Sequence, residues 1–140
     1  MKKDKRRKKT KEIVLLDSNG NALITDFRSA SSLLEVGWEL VEICKIEKIE
    51  DLSMEFRDNA FIYVLKSNSI LKEQQTKQVS LKSYRLLKTS EEVRGIGLIE
   101  EVTSMKKRNA LIASGWIFFE KLPISRQRYI YCLGKKKENI

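Results

Sequence analysis

The sequence predicts an α+β fold with a mainly antiparallel sheet: two tandem ββαββ modules packed as one compact unit, preceded by a disordered basic N-terminal arm. Three observations support this prediction. A short apolar helix that ends on Gly-Trp and is followed by a strand occurs twice, at Ser32–Glu42 and at Ala110–Glu120. A similar strand closes each copy, Phe61–Lys66 in the first and Tyr129–Gly134 in the second. Paired strands around each helix, with a single proline in 140 residues, favour α+β.

The first half of the first module, which spans residues 12–66, is predicted as a hairpin. Glu12–Leu16 is an apolar strand. The Asn19-Gly20 pair supplies two positive-φ residues to a tight turn, and Ala22–Thr25 returns antiparallel to the first strand.

A helix and two strands complete this module. Asp26 or Ser29 is the expected helix cap, and the apolar side chains that follow recur at helical spacing. Gly37 suits the left-handed residue that commonly ends a helix. The third strand begins at Trp38, and Phe61–Lys66 is the fourth.

The second module, residues 80–134, repeats this order after a polar segment, 67–79, which is predicted as a linker. Its last two strands are joined across Pro123-Ile124-Ser125, and residues 135–140 form a basic tail. The predicted strands and helix are Leu81–Lys88, Leu98–Val102, Ser104–Ser114, Trp116–Lys121 and Arg128–Leu133. One module of about 55 residues buries too little surface for comfortable stability, so we expect the two to pack together. Two independent units on a linker are the alternative.

Composition restricts the class of protein. The chain has no histidine, the commonest general base and metal ligand, and its two cysteines have no partner at zinc-site spacing. We therefore expect no catalytic residues, no metal and no cofactor. The sequence has no membrane-length apolar run and no signal peptide, so we expect a cytoplasmic protein without a membrane partner.

Charge divides the chain into acidic and basic parts. Residues 1–12 contain eight Lys or Arg against two acids, and residues 13–66 contain five against ten. Residues 67–134 contain twelve against six. The first repeat is therefore acidic, the second is basic, and the arm at 1–11 repels itself and is expected to be disordered.

The helix, the Gly-Trp pair, the apolar strand and the closing Tyr131-Cys132-Leu133-Gly134 resemble small uncharacterised bacterial domains with GW…YxLG patterns, often found in phages and mobile elements. The resemblance covers about 30 residues of each repeat, and the first repeat departs from it with Lys66 after Leu65. It implies no activity, cofactor or site residue. It does favour an accessory protein of a phage or mobile element.

The basic arm is the first candidate binding element. Eight cations within ten residues can contact phosphates and release counterions, which makes binding salt-dependent. A solubility tail is the alternative. The residues expected to contact nucleic acid in the arm are Lys5, Arg6, Arg7, Lys8 and Lys9.

Two further basic groups lie in the second module. Lys106, Lys107 and Arg108 occupy the first turn of a helix, where cations oppose the helix dipole, and so suggest an anion site. Neutralisation by the two glutamates just upstream is the alternative. Arg126 and Arg128 alternate along a strand and are expected on one face; a charged edge that blocks aggregation is the alternative.

The acids of the first repeat are weaker candidates. A paired-carboxylate hydrolase or a Mg²⁺-dependent nuclease can be built from such residues, but their spacing matches no known site. They are Glu39, Glu42, Glu47, Glu50, Asp51, Glu55 and Asp58.

Two functions of different classes follow. The first is a non-catalytic binding protein that acts on nucleic acid, DNA or RNA, or on a nucleoprotein machine through its basic arm and basic face. The alternative is an inhibitor from a phage or mobile element that binds a host protein such as a CRISPR effector nuclease.

Overall fold

The computed structural model describes residues 13–46, 60–67, 75–78 and 84–137. Within these ranges there are two helices, α1 (Phe27–Glu35) and α2 (Met105–Ala113), and nine strands. The strands are β1 (Ile13–Leu16), β2 (Ala22–Ile24), β3 (Glu39–Ile46), β4 (Phe61–Lys66), β5 (Gln75–Gln78), β6 (Tyr84–Lys88), β7 (Ile96–Val102), β8 (Ile117–Ser125) and β9 (Arg128–Lys136). The basic arm at 1–11 lies outside the described residues.

The strands form two sheets. One has six strands in the order β5-β1-β2-β4-β3-β6, and the other has three in the order β7-β9-β8. All neighbouring strands are antiparallel except β1 and β5, which are parallel. This confirms the predicted α+β class with mainly antiparallel sheets.

The duplication is visible in the order of the strands. The unit β2-α1-β3-β4 has the sheet order β2-β4-β3, and the unit β7-α2-β8-β9 has the corresponding order β7-β9-β8. A βαββ unit is therefore present twice, with the same connections in both copies.

The two helices also end in the same way. The N–H of Gly37 donates to the carbonyl of Leu34 at 3.1 Å, and Gly115 donates to Ile112 at 3.0 Å. The following tryptophan donates to Leu33 in α1 and to Leu111 in α2, at 3.0 Å in both. This is the Schellman motif, which needs a left-handed residue after the helix. Gly37 and Gly115, with φ of 107° and 100°, supply it.

The strand before each unit is placed differently in the two copies. β1 pairs with β2 of its own module, whereas β6 pairs with β3 of the first module instead of joining β7. Since an unpaired edge strand exposes hydrogen-bonding groups, β6 satisfies the edge that β3 would otherwise leave open. The second module is therefore βαββ in its own sheet, and it gives its first strand to the other sheet.

The structure also changes two predicted connections. The predicted linker 67–79 contains β5, which extends the first sheet beside β1. The turn after β1 has positive φ at Gly20 alone, because Asp17 fixes it by accepting the N–H groups of Asn19 and Asn21, both at 2.9 Å. Asn19 therefore does not adopt the positive φ expected of it.

The main core lies between the two sheets and α1. It combines Leu34 of α1 and Tyr63 of β4 with Phe119 and Leu122 of β8, all at most 5% exposed. A second cluster, which includes Ile62 and Val64, lies on the other side of β4. Because one apolar cluster joins residues of both modules, the modules pack as one compact unit.

The closing strands of the two modules differ at the position that is Gly134 in the second module and Lys66 in the first. A Cβ at Gly134 would lie 2.9 Å from Cζ of Phe119 and 3.2 Å from Cγ2 of Ile96. Counting from the two tryptophans, the residue equivalent to Phe119 in the first module is the smaller Val41. Lys66, the residue equivalent to Gly134, is exposed, whereas Gly134 is buried.

Candidate functional site

The N-terminus of α2 places two predicted cations at the surface. Ser104 is the cap and accepts the N–H of Lys107 at 3.2 Å, and the first turn contains no acid. Lys106 and Lys107 are exposed, and they make no ion pair with any described carboxylate. In α1, by contrast, the cap is Asp26, so the two helix starts differ in charge.

The upstream glutamates lie near Lys107 without pairing with it. Glu100, Glu101 and Lys107 line one cavity of about 420 Å³ together with Phe27 and Arg28. Glu101 accepts a hydrogen bond from the Tyr63 hydroxyl, which directs it towards the first sheet. Neutralisation by the glutamates, the alternative to an anion site, is therefore not made through a direct ion pair with Lys107 among the described residues.

Arg108, the third predicted cation of this helix, lies on the second sheet. Its guanidinium carbon is 4.9 Å from the ring centre of Tyr131 and 5.5 Å from that of Phe118. Its Nε and Nη2 also donate to Oδ1 of Asn109 at 3.1 and 2.9 Å. These cation–π contacts hold α2 against the sheet, so Arg108 has a structural role in addition to the predicted one.

The predicted arginines of the hairpin lie at its tip. The turn falls at Arg126-Gln127 and not at the expected Pro123–Ser125, which lies in β8. Gln127 has a φ of 68°, so the strand alternation expected to align the two arginines is interrupted. Arg126 and Arg128 are both exposed and have no ion-pair partner among the described residues.

A row of aromatic rings joins the helix start to the hairpin. The ring centres of Phe118 and Tyr131 are 6.2 Å apart, and those of Tyr131 and Tyr129 are 6.3 Å apart. The Lys121 ammonium lies 4.5 Å from the centre of the Tyr129 ring. Arg108 therefore lies over Phe118 and the middle ring, Tyr131, and the exposed Lys121 lies over Tyr129, on the outer face of the second sheet.

Sequence reasoning did not include this aromatic row or Lys121. The spacing of Tyr129 and Tyr131, two residues apart on a strand, indicates a shared face. The opposing positions of Lys121 and Tyr131 depend on the strand register and are known only from the structure.

A further basic group lies at the far end of β9. Lys135, Lys136 and Lys137 line a cavity of about 620 Å³, next to Leu34 and Glu35 of the first module. The β9 strand runs nine residues from Arg128, so this group lies roughly 25 Å or more from the hairpin tip. The basic residues of the second module therefore lie at both ends of its sheet.

The residues expected in the arm, Lys5, Arg6, Arg7, Lys8 and Lys9, are outside the described part of the chain, as are the acids of the first repeat from Glu47 to Asp58. Among the residues that the structure describes, no three Cys, Asp or Glu side chains group closely enough to hold a metal ion. The described helices include none with the length and apolar character needed to cross a membrane.

The buried polar groups connect the two sheets. Tyr63 donates to Glu101, and its hydroxyl oxygen is 3.5 Å from Sγ of Cys132. Burial raises the pKa of the Tyr63 hydroxyl well above its usual value and raises the pKa of the Cys132 thiol. Burial likewise raises the pKa of Cys44 to about 12. All three groups are therefore protonated at neutral pH, and they contribute to packing between and within the sheets.

Comparison of the chain with protein-family models, curated proteins and solved structures gave no match. The functional argument therefore depends on the geometry and charge of the second module.

Proposed function

We propose that this protein is a non-catalytic binding protein of the cytoplasm that contacts nucleic acid, alone or within a nucleoprotein complex. The second module and the basic arm supply its cationic residues. In the described range 84–137 there are twelve Lys or Arg against five Glu. Such an excess of positive charge attracts polyanions and accelerates their association.

The observation that supports this most directly is the set of exposed cations without ion-pair partners among the described residues. Lys106 and Lys107 lie at the start of α2, and Arg126 and Arg128 lie at the hairpin tip. The helix start adds backbone N–H groups and the positive end of the helix dipole, which favour a phosphate there. The aromatic row lies between the two groups, but Arg108 and Lys121 lie over all three of its rings, so we assign phosphate contacts and not base stacking to this surface.

Salt dependence tests this proposal in the full-length chain. Fluorescence anisotropy is measured with a labelled duplex and a labelled single strand between 50 and 300 mM salt. Each lost phosphate contact should reduce the log–log slope by about 0.9 for duplex DNA and about 0.7 for a single strand. The variants are Lys106→Gln with Lys107→Gln, Arg126→Gln with Arg128→Gln, and glutamine at all five of Lys5, Arg6, Arg7, Lys8 and Lys9.

The matched control is Lys66→Gln with Arg94→Gln, which removes two exposed cations outside the proposed surface. For duplex DNA, we expect each double variant to reduce the log–log salt slope by about 1.8, and we expect the control to leave the slope unchanged. Equal slopes for all variants, or no binding by the wild-type chain at low salt, would refute it.

A second candidate function is an inhibitor from a phage or mobile element, of the anti-CRISPR kind, that binds a host protein such as an effector nuclease. Exposed apolar side chains on α2 and β8 favour it, since exposed apolar surface is a feature of protein interfaces. Met105 is 57% exposed, Ile112 42% and Phe118 37%. A pull-down from host lysate with and without nuclease treatment separates the candidates, because a direct protein partner is retained after the nucleic acid has been digested.

A further inference from the structure

In the first module, a strand of the other sheet covers the outer side of helix α1. Ser31 of α1 accepts the N–H of Ile99 at 2.9 Å and donates to the Ile99 carbonyl at 3.0 Å. Ile99 lies on β7, an edge strand of the three-stranded sheet. Leu34 lines a cavity with Leu98, and Phe27 lines another with Val102, so helix and strand run in opposite directions. Helix α1 therefore covers the backbone edge of a β-strand.

The same positions on α2 are open. Aligning the two caps and the two Gly-Trp pairs places Met105, Asn109 and Ile112 opposite the α1 residues Phe27, Ser31 and Leu34. We call Met105, Asn109 and Ile112 the α2 face. All three are exposed, whereas Leu34 is 1% exposed.

Arg108 does not block the α2 face. It occupies the position of the buried Ala30 of α1, but its guanidinium turns towards Phe118 and Tyr131 on the sheet side of the helix. The side of α2 that corresponds to the strand-covered side of α1 is therefore bounded by Met105, Asn109 and Ile112.

We infer that the α2 face binds the exposed edge strand of a β-sheet in an acidic protein partner, in the arrangement that α1 makes with β7. Met105 and Ile112 supply apolar contact on either side of Asn109. The Asn109 amide oxygen accepts from both Nε and Nη2 of Arg108, which uses its two lone pairs and holds the amide in a defined orientation. Its two N–H groups remain available, so it can donate to a backbone C=O of the strand, as the Ser31 hydroxyl does to Ile99.

Charge selects an acidic strand. The strand on α1 contains Glu100 and Glu101, which line a cavity with Arg28 of the helix. The α2 residue equivalent to Arg28 is Lys106, so a cation lies at the same position beside both helix faces, whereas Lys107 lines the cavity with Glu100 and Glu101. Carboxylates on the partner strand near the start of α2 would complement Lys106.

A second copy of this chain does not fit this requirement. Its β7 edge is already covered by α1, and the other sheet edges in the described residues are β5, β6 and β8. The only acid in these three strands is Glu120, so none of them supplies the acidic edge that the α2 face requires. The complementary occupant is therefore a different protein.

This inference specifies the contact for the second candidate function and does not require nucleic-acid binding. The test uses the full-length isotope-labelled protein and a synthetic cyclic β-hairpin, one strand of which has the β7 sequence Ile-Gly-Leu-Ile-Glu-Glu-Val. A second hairpin has lysine in place of both glutamates. NMR chemical shifts of the Met105 methyl, the Asn109 side-chain amide and the Ile112 methyl are followed during titration.

The expected result is saturable shifts at these three groups with the acidic hairpin and roughly tenfold weaker binding of the lysine hairpin. Asn109→Ala and Ile112→Asp should each abolish the response. Val36→Asp is the matched control, since Val36 is a 65% exposed residue at the end of α1. Both aspartate variants change exposed side chains, and their amide spectra report whether they are folded.

Three results would overturn the inference. The first is no response of the α2 face to the acidic hairpin, or an equal response to both hairpins. The second is a wild-type dimer in sedimentation that Ile112→Asp dissociates, because a second copy would then occupy the face. The third is a response of the Ile112 methyl, which lies at the opposite end of α2 from Lys106 and Lys107, to a duplex oligonucleotide alone, because nucleic acid would then cover the α2 face itself.

Discussion

The contact between Ser31 and Ile99 gives a sharp test of how the two modules are held together. The Ser31 hydroxyl makes two hydrogen bonds to one residue of the other module, at 2.9 and 3.0 Å, and it is half-buried. The perturbation is Ser31→Ala, which removes both bonds and leaves the N–H and C=O of Ile99 facing an apolar methyl group.

The expected magnitude follows from two opposing effects. Two hydrogen bonds with a net value of about 1 kcal/mol each amount to roughly 2 kcal/mol, and the orphaned backbone groups act in the same direction. Alanine is the better helix former by about 0.5 kcal/mol, which opposes the loss. We therefore expect Ser31→Ala to lower the free energy of unfolding by about 1.5 kcal/mol.

Urea denaturation of the full chain, followed by circular dichroism, measures this change. Ser32→Ala is the matched control, because Ser32 is the adjacent exposed residue of the same helix and its substitution changes helix propensity alone. Asn109→Ala, at the equivalent position of α2, should change stability by less than about 0.5 kcal/mol. If Ser31→Ala and Ser32→Ala gave the same stability, the hydrogen bonds would not hold β7 against α1.

Three other predictions concern local sites. Gly134→Ala should destabilise the protein by about 1 to 3 kcal/mol in urea denaturation, since the added methyl group collides with Phe119; an unchanged midpoint would show that the ring moves freely. Cys44 and Cys132 should resist a disulfide reagent at pH 8 in the folded protein and react together in urea, because burial raises both thiol pKa values; rapid labelling without urea would contradict their burial. The hydrogen bond from Ser29 lowers the pKa of Asp26 below 3.8, so the ionised Asp26 stabilises the fold above that pH, and this contribution is lost as the pH falls through the folded-state pKa. Asp26→Asn should therefore reduce the loss of stability between pH 5 and pH 2, measured from urea midpoints, and identical pH profiles would remove Asp26 from the acid response.

Local signals in the sequence were sufficient to predict where the helix of each repeated unit begins and ends. Asp26, one of the two predicted caps of α1, and Ser104 cap the helices, and Gly37 and Gly115 end them in the left-handed conformation. These features depend on a few neighbouring residues, so a single sequence contains the needed information.

Features that depend on distant residues were not predictable in the same way. The pairing of β6 with β3 brings together segments about 40 residues apart, and hydrophobic period alone does not select a partner strand. The cation–π contacts of Arg108 also depend on the distance between α2 and the sheet. For this reason the position of Arg108 in the first helical turn predicted an anion site and gave no indication of its contact with Phe118 and Tyr131.

The placement of β6 means that the two modules cannot be separated without breaking contacts between them. Because the first strand of the second module completes the sheet of the first, a cut at the predicted linker separates β3 from its edge partner and α1 from β7. The two halves of this tandem duplication have therefore become unequal: strands of the second half complete the sheet of the first and cover its helix, whereas no described strand covers α2 in the same way.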